Sequence, residues 1–249
     1  MISLDEIRSG LKNGEFFLEY LPTISLENHC CIGAEALIRW RRPTGVLLPE
    51  SFIPLVDNTP LSGLITYWVI ETVAEELGEW LRANDGIHLG INVPPEVLGR
   101  GGLEYAAEKS GLMDVLDKLV IEVTERGVPD KQGVDAIRDA ARARVLVALD
   151  DVGVEDANLV LLSRVKVDII KIDKSFARQM LTENWSPDRI QGLSALIHAT
   201  GHTIIVEGVE SELQVDILKQ AGIKVVQGWY FSPSLPAKEF EAFFYQNQG

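Results

Sequence analysis

Two apolar runs that end in charged residues constrain the fold more than any other feature of the sequence. Residues 145–149 form an uninterrupted apolar stretch that ends on Asp150 and Asp151, and a second such stretch ends on Lys171 and Asp173. Continuous apolar runs of this length are typical of strands buried on both faces, as in the parallel sheets of α/β proteins. Adjacent carboxylates repel each other, so the aspartate pair indicates a bound cation; a solvated turn is the alternative interpretation.

Charge excludes several classes of partner. The chain carries 37 acidic and 23 basic residues, which gives a formal net charge of −14. Because polyanions are held by broad basic surfaces, we expect no nucleic-acid polymer as a partner and no membrane contact by this domain. A phosphate-ester substrate would need metal ions to neutralise it in so acidic a protein.

Cysteine usage and the N-terminal residues predict a cytoplasmic domain. The two cysteines, Cys30 and Cys31, are neighbours, so the fold does not depend on a disulfide framework and suits a reducing compartment. The first residues have no apolar signal-like core, and no apolar run is long enough to span a bilayer. This leaves open a longer, even membrane-anchored, parent protein with additional regulatory domains.

Strand-like and helix-like patterns alternate along the chain. Besides the two runs above, strands are predicted at 16–24, 31–40, 87–93, 119–123, 203–206 and 224–226. Helices are predicted at 3–12, 62–83, 130–144, 156–163, 189–199, 211–221 and 237–245, with a loop after residue 42. About eight strands alternating with helices favour a (β/α)8 barrel over an open doubly wound sheet. The lack of a G-x-G-x-x-G motif further weakens a dinucleotide-binding fold. We predict a single domain over residues 1–249, with a helical lead-in at 1–15 and the barrel at 16–245.

Polar residues collect at or near the predicted C-terminal ends of successive strands: Glu35, Asn92, Glu122, Asp150, Asp151, Lys171, Glu207 and Gln227. Barrel enzymes build their active sites at this end, so the joint placement predicts a catalytic site. Oxygen ligands of this kind suit Mg²⁺ or Mn²⁺, and two ions can hold the attacking and leaving oxygens of a phosphoryl displacement. Lys171 can orient the attacking water or offset the negative charge that develops on the phosphate. Arg39 can donate hydrogen bonds from its guanidinium to a phosphate oxygen.

Residue types alone leave a second chemistry open. Barrel enzymes that abstract a proton next to a carboxylate also combine three acidic ligands with a lysine at a strand end. The strand-end residues do not separate this chemistry from phosphodiester hydrolysis.

A series of ordered motifs gives a family resemblance. The motif Glu35-Ala36-Leu37 lies in EALIRW and is followed by FIPLVDNT, INV, IEVTE, LDDVG, VDIIKIDKSF, VEGVE and QGWYFSP. Over residues 16–233 this series resembles the EAL domain family of cyclic di-GMP phosphodiesterases, which act in bacterial second-messenger signalling. The resemblance implies a modified TIM barrel with an antiparallel first strand. It also implies metal-dependent hydrolysis of cyclic di-GMP to linear 5'-pGpG.

The resemblance further implies individual roles for residues in this chain. Residues implied to hold two Mg²⁺ or Mn²⁺ ions are Glu35, Asn92, Glu122, Asp150, Asp151 and Glu207, with Asp150 shared and with Ca²⁺ acting as an inhibitor. Residues implied in catalysis are Lys171, Glu207 and Glu35, where Lys171 positions the nucleophilic water. Residues implied in substrate binding are Arg39, Leu37, Asp173 and Gln227. Glu125 and Glu210 are implied to brace the site from behind its ligands.

Three positions depart from the family pattern. Leu21 stands where the family usually carries glutamine before the proline of the first strand, and Pro94 replaces a serine. Residues 152–158 differ from the family's D-D-F-G-T-G-Y-S-S-L loop, which helps to fix the second metal and the dimer contact. The altered loop and Leu21 favour an alternative, whereas the change at Pro94 is mild. The alternative is a catalytically weak or inactive EAL domain that acts as a cyclic di-GMP receptor or protein-interaction module. A homodimer stays open in both cases.

Overall fold

The computed structural model describes residues 2–124, 131–153, 167–182 and 202–248. The strands are β1 (Phe16–Ser25), β2 (Cys31–Arg42), β3 (Gly45–Leu47), β4 (His88–Asn92), β5 (Leu119–Thr124), β6 (Leu146–Val152), β7 (Ile169–Ile172), β8 (Thr203–Val206) and β9 (Val225–Gln227). The α-helices are α1 (Leu4–Lys12), α2 (Ile53–Val56), α3 (Pro60–Ala83), α4 (Gly102–Lys109), α5 (Lys131–Arg142), α6 (Lys174–Gln179), α7 (Glu212–Gln220) and α8 (Ala237–Gln246).

Eight of these strands close into a barrel. The ring runs β1, β2, β4, β5, β6, β7, β8, β9 and back to β1, while β3 extends β2 as a hairpin beyond the ring. β1 is antiparallel to both of its neighbours, and the remaining six pairings are parallel. The predicted α/β fold, a modified barrel with an antiparallel first strand, is confirmed. All strands except β1 and β3 therefore direct their C-terminal ends to one mouth of the barrel.

A layer of apolar side chains fills the barrel beneath that mouth. Side chains two positions apart on a strand face the same side, so a polar strand end and the residue two before it both point inward. The apolar layer is a buried cluster of Val120, Ala148, Ile169, Ile205 and Val225. Two positions further along the same strands stand Glu122, Asp150, Lys171, Glu207 and Gln227. The strands thus present a sealed apolar floor with a polar layer above it.

An aromatic cluster joins β1 and β2 to the segment that begins α2. The rings of Phe16 and Trp40 stack with centroids 5.0 Å apart, and Phe52 meets both rings edge-on at 5.5 and 5.7 Å. Trp40 also donates a hydrogen bond to Glu15. Each aromatic pair contributes about 0.5–1.5 kcal/mol beyond its burial. The cluster anchors the start of α2 beside the barrel mouth.

Several elements differ from the sequence-based expectation. The stretch after Arg42, expected to be a loop, contains β3, and α2, α4 and α6 were not predicted. Helix α3 was expected to begin at residue 62 but begins at Pro60, because Thr59 supplies the N-cap and proline is favoured in the first turn. The helices expected at 156–163 and 189–199 lie outside the described residues. Within the described ranges, no helix is both long and apolar enough to cross a bilayer.

Candidate active site

Three buried carboxylates from three strands of the barrel meet at its mouth. Glu35 on β2, Glu122 on β5 and Asp150 on β6 each offer an oxygen within 4.8 Å of the others. Asn92, at the end of β4, donates a hydrogen bond of 2.8 Å to Glu35 Oε1 and pairs in register with Glu122. The predicted residues are therefore brought together, although Glu35 lies in the middle of β2 and not at its C-terminal end as predicted.

Lys171 occupies the centre of this acidic layer. Its Nζ lies 2.7 Å from Glu35 Oε2, 2.8 Å from Glu122 Oε2, 2.8 Å from Glu207 Oε1 and 3.3 Å from Asp150 Oδ1. Lysine is almost never buried without such partners, and Lys171 is only 1% exposed. One ammonium faces four carboxyl groups, so full ionisation would leave three negative charges in a buried space. We call these five residues the carboxylate–lysine cluster.

The pKa values of the cluster reflect that excess of negative charge. Burial, reinforced by the charge of Glu35 and only partly opposed by Lys171, raises the pKa of Glu122 well above its usual range. Burial likewise raises the pKa of Glu207 to about 8, against the opposing effect of Lys171. Burial works against ionisation of Glu35 too, but Lys171 and the Asn92 hydrogen bond leave its pKa lowered. Burial disfavours the charged form of Lys171, yet the surrounding carboxylates raise its pKa well above the ordinary value, so it stays protonated.

The cluster fits a divalent cation. Asp150 Oδ1 is buried and accepts no hydrogen bond from the described residues, with Lys171 Nζ at 3.3 Å as its charged neighbour. Carboxylate and amide oxygens are the donors that hard divalent cations prefer. Glycine at position 90 leaves space for the Glu122 carboxylate, which a Cβ at that position would overlap. The buried triad Glu35, Glu122 and Asp150 can therefore hold a metal ion.

A β-bulge brings both aspartates of the Asp150–Asp151 pair to the site. Pairing of β6 with β7 shifts register between Leu149 and Val152. Without the bulge, adjacent strand residues would point to opposite faces. Asp151 adopts the left-handed region with φ of 59°, which aspartate tolerates better than most residues. Both side chains consequently line the same cleft, a placement that alternation along a regular strand does not give.

A cleft of about 820 Å³ opens above the cluster. Its lining includes the predicted residues Glu35, Leu37, Asn92, Glu122, Asp150, Asp151 and Glu207. The sequence analysis missed four charged residues of its wall: Glu50, Asp57, Glu96 and Arg100. Glu96 Oε1 accepts hydrogen bonds from Asn58 N at 2.8 Å and Ser62 Oγ at 2.9 Å, which ties the turn after β4 to the loop between α2 and α3.

Two of the residues predicted to contact substrate, Arg39 on β2 and Gln227 on β9, are engaged within the protein. Arg39 is buried, with Nε 2.9 Å from Glu19 Oε2 and with Nη2 donating to Ser234 Oγ. Gln227 is buried and donates from Nε2 to Thr23 Oγ1, while its Oε1 accepts no hydrogen bond from the described residues. Neither side chain is among the described residues that line the cleft.

The remaining predicted residues either are not among the residues that line the cleft or lie outside the described ranges. Asp173 is the N-cap of α6, where its Oδ1 accepts a hydrogen bond from Ser175 N. Glu210 is exposed. Glu125 lies outside the described residues, as does the altered loop from Val154 onward.

Gln214 is a further supporting residue that the sequence analysis missed. It is fully buried, its Oε1 accepts hydrogen bonds from the backbone N–H groups of Glu210 and Ser211, and its Nε2 donates to Ala177 O. It thus fastens the loop that follows Glu207 to helix α6. The Ser-x-x-Gln capping box was the available signal, but the long-range bond to Ala177 was not readable from it.

Fold and site together define a class: an α/β barrel with a buried, cation-binding carboxylate centre at the C-terminal mouth of its strands. The sequence profile of the EAL domain matches residues 4–234. The chain therefore belongs to the EAL domain family, as its motifs predicted.

Named relatives match over most of this chain. Escherichia coli K12 PdeB, named a probable cyclic di-GMP phosphodiesterase, is 33% identical over 94% of this chain and 45% of its own length. The cyclic di-GMP phosphodiesterase PdeL of the same organism is 32% identical over 96% of this chain and 68% of its own length. The EAL enzyme Bd1971, solved with cAMP and cyclic di-GMP bound, superposes with a TM-score of 0.86 at 27% identity over 96% of this chain and 67% of that chain. This chain thus spans less than half of PdeB and about two thirds of PdeL and Bd1971.

Proposed function

We propose that this chain is a phosphodiesterase domain that hydrolyses cyclic di-GMP to linear 5'-pGpG. The observation that carries the proposal is the carboxylate–lysine cluster, in which four acidic residues from four strands surround buried Lys171. The names of PdeB and PdeL and the ligand of Bd1971 support the choice of substrate. In the reaction, one water adds to one phosphorus and one P–O bond to a ribose 3'-oxygen breaks, which leaves a 5'-phosphate and a 3'-hydroxyl.

We assign Mg²⁺ or Mn²⁺ as the cofactor. Glu35, Asn92, Glu122 and Asp150 would hold one ion, and Asp150 with Asp151 and Glu207 would hold a second. What such ions supply is Lewis acidity and positive charge beside the phosphodiester. Two features support this assignment: all the ligand atoms are oxygens, and Asp150 Oδ1 accepts no hydrogen bond from the described residues.

The chain's own residues orient and protect the reacting groups. Because Lys171 stays protonated, its Nζ acts as a hydrogen-bond donor that orients the attacking water, and it does not serve as a base. Asn92 fixes the orientation of the Glu35 carboxylate through their 2.8 Å hydrogen bond. The apolar layer beneath the cluster excludes bulk water from below, which strengthens electrostatic interactions at the site.

The decisive experiment is hydrolysis of cyclic di-GMP by the purified protein with Mn²⁺, with the linear dinucleotide as the measured product. We expect Glu35→Ala to abolish product formation, whereas Glu239→Ala, an exposed charge change on α8, leaves it at the wild-type level. Near wild-type turnover by Glu35→Ala would refute the assignment of the site. Ca²⁺, which we expect to occupy the site without turnover, allows binding to be measured separately.

A receptor or protein-interaction role is the second candidate. Leu21 pairs directly with Glu35 across β1 and β2, so an apolar side chain stands where the family carries a glutamine. Tight binding of cyclic di-GMP without product would select the receptor, and neither binding nor product would point to an interaction module.

The setting of the domain follows the same proposal. The greater length of PdeB suggests that residues 1–249 form a single EAL domain of a larger protein. We place the domain in the cytoplasm, where cyclic di-GMP would be its small-molecule partner. Additional regulatory domains in the parent protein and a homodimer of this domain belong to the same proposal.

A further inference from the structure

The cleft above the carboxylate–lysine cluster is walled by acids although its proposed substrate is an anion. This inference rests on the proposed function, because cyclic di-GMP carries two phosphodiesters and hydrolysis uses one of them. Glu50, Asp57 and Glu96 add to the negative charge of the cluster along the cleft wall. Ions held at the cluster would neutralise the phosphodiester being cleaved. The second phosphodiester must then enter an acidic cleft, where like charges repel it.

Arg100 is the single basic residue among the described residues that line this cleft. It follows β4, the strand that carries Asn92, and its guanidinium Nε donates a hydrogen bond to the backbone carbonyl of Glu96. The remaining nitrogens of the guanidinium form the planar fork that binds phosphate oxygens. Lys171 does not supply this charge, because it is buried and is not among the described residues that line the cleft.

The position of Arg100 is fixed through Glu96. The Glu96 carboxylate is bonded to the backbone of Asn58 and to Ser62, a buried residue of α3. The carbonyl that accepts from Arg100 therefore belongs to a segment attached to the longest helix of the fold. Arg39, the other arginine expected to meet phosphate, is instead paired with Glu19 and does not line the cleft.

We propose that Arg100 binds the non-scissile phosphodiester of cyclic di-GMP and is the countercharge that lets this acid-walled cleft accept a doubly charged substrate. Arg100 is then a substrate-binding residue that acts on affinity more than on the chemical step. Because the interaction is with charge, lysine at the same position retains part of it, whereas a neutral side chain does not.

The test compares Arg100→Ala and Arg100→Lys with Arg8→Ala, which removes the same charge from an exposed position on α1. Binding of cyclic di-GMP is measured by calorimetry in Ca²⁺, and kcat and KM are measured in Mn²⁺. We expect Arg100→Ala to weaken binding and to raise KM by about 10-fold, the effect of one charge-assisted hydrogen bond. We expect Arg100→Lys to bind no more than about 3-fold more weakly than the wild type, which is half of a 10-fold loss on a logarithmic scale. We expect Arg8→Ala to have the affinity and kinetic constants of the wild type.

A second substrate separates this role from general damage to the site. Bis(p-nitrophenyl) phosphate has one phosphodiester, so the fold-loss in kcat/KM caused by Arg100→Ala should be at least about 3-fold smaller on it than on cyclic di-GMP. Equal losses on both substrates, wild-type affinity in Arg100→Ala, or an Arg100→Lys protein as weak as Arg100→Ala would each overturn the assignment. If the wild type neither binds nor cleaves cyclic di-GMP, the proposed function itself fails, which the unmutated protein reveals before any variant is compared.

Discussion

Lys171 Nζ lies 2.7 Å from Glu35 Oε2, although the two residues are 136 positions apart in the chain. One belongs to β7 and the other to β2, on different sides of the barrel. A salt bridge between two buried residues has a large desolvation cost, and this one lies in a cluster that would carry three negative charges in excess if every carboxyl group were ionised. Such an arrangement is costly for stability alone and favourable for binding divalent cations.

Lys171→Ala is expected to slow the chemical step far more than it weakens binding. Loss of a preorganised donor typically lowers kcat by about 100-fold or more, while KM for cyclic di-GMP should change only a few-fold. Both parameters are measured with saturating Mn²⁺, which compensates the carboxylates left without their ammonium. Lys238→Ala, an exposed change on α8, is the control. A rise in KM with kcat intact would contradict the role assigned to Lys171.

The stability of the metal-free protein should fall as the pH rises from about 4.5 to about 8. Burial raises the pKa of Glu207 from 4.5 to about 8 in the folded protein. Between these values the native state keeps a proton that the unfolded chain has lost, so the free energy of unfolding decreases with increasing pH. Cation binding requires the deprotonated carboxylate, so the increase in Tm caused by Mg²⁺ should grow over the same window.

Thermal melts in EDTA and in Mg²⁺ at several pH values check this expectation. Glu207→Gln removes the titrating group and should flatten part of the pH dependence in EDTA. A Tm in EDTA that rises steadily across this window would show that the carboxylates are ionised without a cation.

Gly90→Ala should disrupt the site without disturbing the outer fold. A Cβ at position 90 would overlap the Glu122 carboxylate, which would have to leave its place beside Lys171. We expect a loss of activity of at least about 10-fold and weaker Mn²⁺ binding. Gly63→Ala on α3 is the matched control, because its Cβ meets no atom closer than 3.9 Å and alanine favours a helix. Equal activity in the two variants would mean that Glu122 need not occupy this position.

Gln214→Ala should destabilise the loop that follows Glu207. The substitution leaves the N–H groups of Glu210 and Ser211 and the carbonyl of Ala177 without their side-chain partner, at a cost of about 1–3 kcal/mol. We expect a lower Tm and weaker metal binding, measured by calorimetry. Gln220→Ala, at the exposed end of the same helix, should change neither.

The inward direction of the main site residues could be predicted because it depends on local rules. Glu122, Asp150 and Lys171 each end an apolar run, and parallel strands bring such ends to one mouth. That Asp151 faces the same cleft as Asp150 could not be derived from strand alternation, since the bulge depends on the register between β6 and β7. The same holds for Arg39, whose partner Glu19 lies on the antiparallel neighbour strand, and for Arg100, which lies several residues beyond the end of β4 and in none of the motifs.

The apolar floor beneath the carboxylates limits the route by which ions, substrate and product can reach and leave the site. The apolar floor closes the barrel below the carboxylates with Val120, Ala148, Ile169, Ile205 and Val225. We therefore expect ions, substrate and product all to enter and leave through the cleft at the barrel mouth. In the proposed reaction, a linear dinucleotide that leaves slowly would block the next cyclic molecule, so the rate of product release would set an upper limit on turnover.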